Sequence, residues 1–331
     1  MILTSAQRAR AAGVLLGQAI GDALGVPYEF GPPAKSVARM IGGGLGPYAP
    51  GEWSDDTQMA ICIAQVAAGG HDLRTPTGQD LAARAFVDWR TNGASDIGNL
   101  TSRVLRDAEA YARAGALSIG EATTRAAARA ATASQSAGTG ALMRTGVVGL
   151  VALHDRRATA DAARAMSSLA HADRRCVESC VLLSEAVRVA VLEGRLDLRG
   201  GLDLLDAGRR TFWDEAIAAA ETGTAADFRA NGFTVTALQA AWWANTHAEP
   251  KNVESALQLA IGIGHDTDTV AAIAGALLGA RFGVPALPLD LVRRVHGWPG
   301  LRAPDLIRLS LEVATRAPAS WPSRNSIWPS P

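Results

Sequence analysis

The sequence has no excess of charge of either sign. Its 331 residues include 32 lysines and arginines and 32 aspartates and glutamates, and the basic residues are mostly single arginines spread along the chain. Proteins that bind nucleic acid or anionic membranes through charge carry a basic patch or run. We therefore expect no nucleic-acid surface and no membrane surface. Any phosphate-bearing ligand must be held locally, by backbone amides or by metal.

Cysteine is also scarce, with residues at positions 62, 176 and 180 only. An odd count without a framework spacing is typical of a protein in a reducing compartment and not of a disulfide framework. Cys176 and Cys180 are four residues apart, which places them on one face of a helix. We interpret them as core residues, because a free cysteine is most often simply buried.

Long apolar runs are absent, and none approaches the roughly 18 residues that a membrane-spanning helix needs. The N-terminal stretch has Arg8 and Arg10 before an apolar run, as a signal peptide does. Gln18 and Asp22 interrupt that run. We expect a cytoplasmic protein.

The alternating pattern of β-strands is almost missing, whereas apolar residues recur at helical spacing along most of the chain. Frequent alanine and glycine would let the helices approach closely. We predict an all-α fold, a compact multi-helix bundle formed by one domain at residues 1–315. A Pro/Ser-rich tail at residues 316–331 is predicted to be extended or disordered. The predicted helices begin at residue 5 and continue at roughly 56–69, 77–91, 100–115, 119–134, 141–153, 157–170, 174–193, 234–247, 252–263, 269–282 and 303–315.

The stretch "GEWSDDTQMAI" carries more polar side chains than a helix start needs. Ser54, Asp55, Asp56 and Thr57 lie in a row just before an apolar helical segment. Helix capping and the helix dipole favour one or two such residues. They do not explain four oxygen-bearing side chains in succession.

A second acidic turn lies in "GHDTDTVAAIAGALLGARFG", where Asp266 and Asp268 are two residues apart. Either aspartate could cap the helix that follows. The pattern also matches the DxDxT/V signature of haloacid dehalogenase-type phosphatases, whose first aspartate is a nucleophile. That signature follows a β-strand, and here the preceding stretch is helical, so we disfavour it.

Metal binding is the third interpretation, and it accounts for both acidic turns together. Four carboxylates brought close to one another repel unless a cation lies between them. Mg²⁺ and Mn²⁺ prefer oxygen ligands. The carboxylates, with Ser54 and Thr269, could hold two such ions about 3.5–4 Å apart.

The motifs "GQAIGDALGVPYEF", "EWSDDTQMAI", "SDIGN", "AGTGALMR" and "GHDTDTVAAIAGALLGARFG" occur in this order. In that order the chain resembles the ADP-ribosylglycohydrolase family, which includes the dinitrogen reductase-activating glycohydrolases, over about residues 10 to 285. The resemblance implies an all-α fold of that family's type and a binuclear Mg²⁺ or Mn²⁺ centre. The implied metal ligands are Ser54, Asp55, Asp56, Asp266, Asp268 and Thr269. Relatives usually carry threonine where this chain has Ser54, but the hydroxyl ligand is retained.

Two further carboxylates receive catalytic roles from the resemblance. Glu29 matches a loop acid that lies beside the metals and the reacting sugar, and Asp96 matches an active-site acid of bacterial relatives. Without the resemblance, Glu29 would be interpreted as a solvated loop charge and Asp96 as a turn former. The resemblance also implies a cradle for the diphosphate and ribose of ADP-ribose. Its residues are Asn99, Ser136, Gly138, Thr139, Gly140 and His171.

The expected activity is hydrolysis of the C1″ glycosidic bond of an ADP-ribosylated substrate, a protein or a small molecule, with ADP-ribose as a product. The metals would clamp the distal ribose, and Glu29 or Asp96 would act as general base or leaving-group acid. The "DIGN" element favours ADP-ribosylarginine. The alternatives are O-linked ADP-ribose, on serine or as O-acetyl-ADP-ribose, and a non-catalytic, crystallin-like ADP-ribose binder. We expect a monomer.

Overall fold

The computed structural model describes residues 2–33, 36–115, 117–132, 137–249 and 252–316, and the described part is dominated by α-helices. The predicted all-α fold is confirmed. In chain order the helices are α1 (Ser5–Gly25), α2 (Asp55–Ala68), α3 (Pro76–Asn92), α4 (Asn99–Arg113), α5 (Ile119–Ala131), α6 (Arg156–Ser168), α7 (Arg174–Glu193), α8 (Ala207–Thr222), α9 (Thr234–His247), α10 (Val253–Gly262), α11 (Thr267–Phe282), α12 (Leu289–Arg294) and α13 (Ala303–Thr315). Two short antiparallel strands, β1 (His296–Gly297) and β2 (Leu301–Arg302), complete the regular structure.

Three stretches differ from the helices predicted from the sequence. Residues 141–153 form two short 3₁₀ segments, Leu142–Arg144 and Gly146–Leu150, instead of one α-helix. A Cβ atom added to Gly149 would lie 2.7 Å from a backbone oxygen of α7. This segment therefore packs too closely against α7 for a regular α-helix with a side chain at this position. The sequence prediction also missed α8, which buries only three residues, and α12, which is six residues long.

Helices α1 and α11 run antiparallel with their backbones in direct contact. Glycines 13, 17 and 21 of α1 are spaced by four and therefore share one face of the helix. A Cβ atom at these positions would lie 2.4, 2.2 and 1.9 Å from backbone oxygens of α11. At the end of α1, a Cβ atom on Gly25 would be 2.5 Å from the Cα atom of Asp268. This contact places the C-terminus of α1 against the first turn of α11.

The main hydrophobic core surrounds this helix pair, and a smaller cluster lies between α4 and α5. Cys62, Cys176 and Cys180 are buried, as the core interpretation predicts for the last two. No helix within the described residues combines the length and apolarity needed to cross a bilayer. Residues 317–331, nearly all of the predicted tail, lie outside the described residues, and the domain boundary stays a prediction.

The helix contact predicts a large effect of one added methyl group. Replacing Gly17 by alanine forces a Cβ atom to within 2.2 Å of the Gly275 carbonyl oxygen. Overpacking of this kind costs about 1–3 kcal/mol or more, which exceeds the gain of up to about 1 kcal/mol in helix propensity. We expect Gly17→Ala to lower the free energy of unfolding, measured by chemical denaturation, by about 2 kcal/mol.

The matched control is Gly208→Ala, because Gly208 is an exposed glycine of α8 with no atom within 4 Å of its added Cβ. We expect this change to be neutral or to stabilise the fold by up to about 1 kcal/mol. Equal unfolding free energies for the two variants would show that the backbones of α1 and α11 are not in contact.

Candidate active site

A cleft of about 470 Å³ opens where the first turns of α2 and α11 meet the loop that follows α1. Nearly all of the predicted site residues that the structure describes line this cleft. They are Glu29, Asp55, Asp56, Asp96, Asn99, Gly138, Thr139, Gly140, His171, Asp266, Asp268 and Thr269. Ser54 is buried just behind the wall, and Ser136 lies outside the described residues. The structure therefore gathers these residues around one site, and their individual roles stay predictions.

The first turn of α2 is held by a carboxylate from another helix. Ser54 occupies the N-cap position of α2, yet its side chain makes no capping hydrogen bond. Instead its amide and hydroxyl donate to Asp22 Oδ1 at 2.9 and 2.8 Å. The amide and hydroxyl of Thr57 donate to Asp22 Oδ2 at 3.0 and 2.6 Å. Ser54 therefore does not cap α2 with its side chain. Asp22, which accepts these hydrogen bonds, is a residue of the site that was not predicted from the sequence.

The turn before α11 is held in a similar way. Asp266 occupies the N-cap position of α11, but its side chain makes no capping hydrogen bond to that helix. Its carboxylate accepts a hydrogen bond from Thr139 Oγ1 at 3.1 Å, and its amide donates to Asn231 Oδ1 at 2.9 Å. Buried Asn231 also donates to the Gly264 carbonyl at 3.0 Å. The amide of Asn231, a second residue that the sequence analysis missed, thus fixes the turn that presents Asp266.

The two acidic turns meet at Ser54. Its Oγ atom lies 3.2 Å from Asp56 Oδ2 and 3.5 Å from Asp268 Oδ2. Residues about 210 positions apart in the chain thus contribute oxygen atoms to one cluster.

The Glu29 loop is attached to the turn before α11 by backbone hydrogen bonds. The amide of Phe30 donates to the His265 carbonyl at 2.6 Å, and the amide of His265 donates to the Gly31 carbonyl at 3.1 Å. One carboxylate oxygen each of Glu29, Asp266 and Asp268 lie within 4.8 Å of one another. His265 therefore contributes through its backbone, and Glu29 is close enough to the acidic pair to share a cation with it.

Burial raises the free energy of the ionised carboxylates in this cluster. It raises the pKa of Asp22 and Asp266 to about 6, and with the neighbouring carboxylates it raises the pKa of Glu29 and Asp55 to about 8. Burial, followed by repulsion from nearby carboxylates, also raises the pKa values of two further aspartates, Asp56 and Asp268, well above the ordinary range.

Positive charge is what the cluster lacks. Among the described residues, no lysine or arginine forms an ion pair with any of these carboxylates. The Oδ1 atom of Asp56 is buried without a hydrogen-bond partner. An unsatisfied carboxylate oxygen within an all-oxygen acidic set fits a divalent cation such as Mg²⁺ or Mn²⁺.

The opposite wall of the cleft contains Gly138, Gly140 and His171. A Cβ atom on Gly140 would lie 2.8 Å from the imidazole Cε1 atom, so only glycine fits beside this histidine. Burial, and secondarily the Arg144 guanidinium, lowers the pKa of His171 to about 3, so its imidazole is neutral. Its buried Nδ1 atom has no hydrogen-bond partner. This wall of the cleft therefore carries a neutral imidazole.

The segment after Gly140 differs from the α-helix predicted at residues 141–153. A three-residue 3₁₀ segment follows this wall of the cleft, so no α-helix N-terminus faces it there. Buried Arg144 instead supports the loop, because its Nη1 atom donates to the Gly140 carbonyl at 2.7 Å while its guanidinium lies 4.6 Å from the centre of the Phe86 ring. In the sequence, the only indication of this contact is that an arginine ends the otherwise apolar motif "AGTGALMR".

Comparison with known proteins gives consistent matches over most of the chain. The family model for ADP-ribosylglycohydrolase matches residues 3–320. A Pseudomonas putida (strain GB-1) protein named ADP-ribosylarginine hydrolase Tri1 is 31% identical over 328 residues, which cover 93% of this chain and 79% of that protein. A Serratia proteamaculans (strain 568) protein of the same name is 29% identical over 289 residues, covering 84% and 73% of the two chains. A solved structure described as an ADP-ribosylglycohydrolase-related protein complex superposes with a TM-score of 0.70 at 26% identity, covering 95% of this chain and 100% of that one.

The raised pKa values predict how stability depends on pH and on divalent cations. Between the ordinary carboxyl pKa and about pH 8, the folded cluster binds protons that the unfolded chain has released. Stability must therefore fall as the pH rises through this window. We expect the unfolding temperature in EDTA to decrease from about pH 5 to about pH 9. Millimolar Mg²⁺ should raise it most at the alkaline end, because cation and protons compete for the same oxygens.

Scanning calorimetry at several pH values, with and without Mg²⁺, measures both effects. The control is Asp290→Asn, which removes an exposed carboxylate that does not line the cleft and should leave the two curves unchanged. An equal Mg²⁺ effect at both ends of the pH range would argue against competition at this cluster.

Proposed function

The chain belongs to the ADP-ribosylglycohydrolase family, and we propose that it hydrolyses the C1″–N bond of ADP-ribosylarginine with the help of two divalent cations, Mg²⁺ or Mn²⁺. The proposed cation ligands are Ser54, Asp55, Asp56, Asp266, Asp268 and Thr269. The observation that carries the proposal is the meeting of both acidic turns and Glu29 in one cleft, where no lysine or arginine of the described residues forms an ion pair with them.

When bound, such cations would supply positive charge that orients ribose hydroxyls and stabilises the reaction. The fit rests on this chain's own atoms, above all the unpartnered Asp56 Oδ1 atom and the six oxygen-bearing side chains. Ser54, which replaces the threonine usual in relatives, retains a hydroxyl oxygen at the junction of the two turns.

Glu29 is the proposed general base. Its loop is attached by backbone hydrogen bonds to the turn before Asp266, which restricts where the carboxylate can point. Positive charge beside it would favour its ionised form, which accepts a proton from the attacking water. The water oxygen forms a bond to C1″ as the C1″–N bond breaks, and the bonding electrons leave with the guanidine. The products are ADP-ribose and arginine.

Asp96 is proposed to act on the leaving group. The guanidinium of ADP-ribosylarginine is cationic, and a carboxylate can accept two of its N–H groups side by side. Asp96 is half-buried on the cleft wall, where its carboxylate would hold the guanidinium as the C1″–N bond breaks. The guanidine leaves as a neutral base and then takes up, by way of solvent, the proton that Glu29 removed from the attacking water. The names of the two relatives support arginine as the linkage site.

The remaining cleft residues are proposed to bind the ADP-ribose moiety, with glycine amides facing the diphosphate. Thr139, which stands where many relatives have asparagine, already donates its hydroxyl to Asp266. It therefore links the proposed nucleotide cradle to the proposed cation site. The proposed ADP-ribose contacts are Asn99, Ser136, Gly138, Thr139, Gly140 and His171.

A substrate panel tests the proposed linkage. ADP-ribosylarginine peptide, ADP-ribosylserine peptide and O-acetyl-ADP-ribose are each incubated with the full chain, and released ADP-ribose is quantified with Mg²⁺, with Mn²⁺ and with EDTA. We expect the highest kcat/KM for the arginine linkage, and loss of turnover in EDTA that is restored by added cation. A higher kcat/KM for an O-linked substrate would show that the proposed arginine linkage is wrong. Nucleotide binding without turnover of any substrate would indicate a non-catalytic binder.

Two variants distinguish a base from a cation ligand. We expect Glu29→Gln to lower kcat by about 10²–10⁴-fold while leaving the Mn²⁺ Kd within about threefold of the wild-type value. Asp268→Asn should instead abolish tight Mn²⁺ binding, because a charged ligand is lost. Calorimetric titration with Mn²⁺ and steady-state kinetics measure the two effects, and Asp290→Asn is the control. If Glu29→Gln weakens Mn²⁺ binding as much as Asp268→Asn does, Glu29 is a ligand and not the base.

A further inference from the structure

Asp22 is a fully buried carboxylate on α1 that lies behind the cleft. Its two oxygens together accept four hydrogen bonds, two from Ser54 and two from Thr57. Both donors belong to the start of α2, the helix whose first two residues are Asp55 and Asp56. A change at Asp22 therefore reaches the acidic cluster through α2.

The pattern of these bonds is that of a capping box supplied from outside the helix. In a capping box the N-cap side chain accepts from the N3 amide, and the N3 side chain accepts from the N-cap amide. Here Ser54 is the N-cap residue and Thr57 is at N3, and a single carboxylate accepts from both amides. Because Asp22 performs both halves of the box, the Ser54 hydroxyl is not needed for capping.

The Ser54 hydroxyl has one proton and three carboxylate oxygens within reach. The distance to Asp22 Oδ1 is 2.8 Å, whereas Asp56 Oδ2 and Asp268 Oδ2 lie at 3.2 and 3.5 Å. The shortest contact identifies Asp22 as the acceptor of the proton. The lone pairs of Ser54 then face the side occupied by Asp56 and Asp268.

The position of Asp22 is itself tightly restricted. Its neighbours Gly21 and Gly25 are packed against the backbone of α11, with no room for a Cβ atom at either position. The backbone that carries Asp22 is therefore fixed against α11, and the start of α2 is positioned relative to it.

We propose that Asp22 is a positioning residue of the cation site: it caps α2 in place of that helix's own side chains and takes the Ser54 hydroxyl proton, so that Ser54 presents a lone pair to a bound cation. This inference rests on the proposed cation site and goes beyond it, because Asp22 acts only through Ser54 and the start of α2. A hydroxyl that donates its proton to a carboxylate is a better and better-oriented ligand, as with other groups that support metal ligands.

A double-mutant cycle tests this role with Mn²⁺ affinity as the measurement. An amide at position 22 cannot accept all four hydrogen bonds, so Asp22→Asn should raise the Mn²⁺ Kd by about 10–100-fold. Ser54→Ala, which removes the hydroxyl, should raise it to a similar extent. In the Ser54→Ala background, the further effect of Asp22→Asn should be less than about threefold, because its route to the cation is already lost. Equal effects of Asp22→Asn in both backgrounds would overturn the proposal.

Thr57→Val is the matched control, because it removes the hydroxyl that donates to the other oxygen of Asp22. It should leave the Mn²⁺ Kd within about threefold of the wild-type value while lowering the unfolding temperature. A loss of affinity as large as that of Asp22→Asn would assign Asp22 to helix capping alone and overturn its proposed role toward Ser54.

Two further measurements test the proposal if Asp22→Asn does not fold, and separate it from the proposed cation site. If Asp22→Asn does not fold, the single variants at position 54 suffice: Ser54→Ala must weaken Mn²⁺ binding and Ser54→Thr must restore it, and unchanged affinity in Ser54→Ala refutes the proposal. Wild-type protein that binds no Mn²⁺ contradicts the proposed cation site itself. Wild-type protein that binds Mn²⁺, with additive effects in the cycle, contradicts only the role of Asp22.

Discussion

The direct contact between the backbones of α1 and α11 is the constraint on which the rest of the structure depends. Glycines spaced by four along α1 let the two backbones touch, and a Cβ atom on Gly21 would lie 1.9 Å from an oxygen of α11. As a result, the last turn of α1 lies beside the first turn of α11, and Gly25 touches the backbone of Asp268. Asp22 reaches the start of α2 from the same turn of α1. One glycine-lined contact thus brings both acidic turns together.

The site that results is unfavourable for the isolated protein and favourable for a cation. Burial and mutual repulsion raise the pKa of Asp55 and Glu29 to about 8, whereas the unfolded chain would ionise these groups freely. Hydrogen bonds from Ser54, Thr57, Thr139 and Asn231 orient the acidic turns but supply no net positive charge. The cost of assembling the carboxylates is therefore offset only when protons or cations bind. This coupling links the stability of the fold to the chemistry of a glycohydrolase.

The sequence was most informative about the fold class and about the meeting of the acidic turns. Helical periodicity predicted the all-α fold, and the hypothesis of cations shared by Asp55, Asp56, Asp266 and Asp268 predicted that the two acidic turns meet. The role of Asp22 was not predicted, because it depends on Ser54, 32 residues away, and only the packing of α1 brings the two residues together. The role of Asn231 was not predicted for the same reason, since its side-chain amide accepts a hydrogen bond from the turn at Asp266, 35 residues later. The 3₁₀ segments after Gly140 also could not be predicted, because close packing on α7 overrides the helical pattern there.

The central claim is that the acidic cluster holds two divalent cations at which an ADP-ribosyl bond is cleaved. Crystals of the full chain grown with Mn²⁺, with anomalous diffraction recorded on both sides of the manganese absorption edge, test it most directly. The account predicts two manganese peaks coordinated by the oxygens of Asp55, Asp56, Asp266 and Asp268, with Ser54 as a further ligand. An absence of manganese from this cleft, in crystals of protein that hydrolyses its substrate in the same Mn²⁺ buffer, would contradict it.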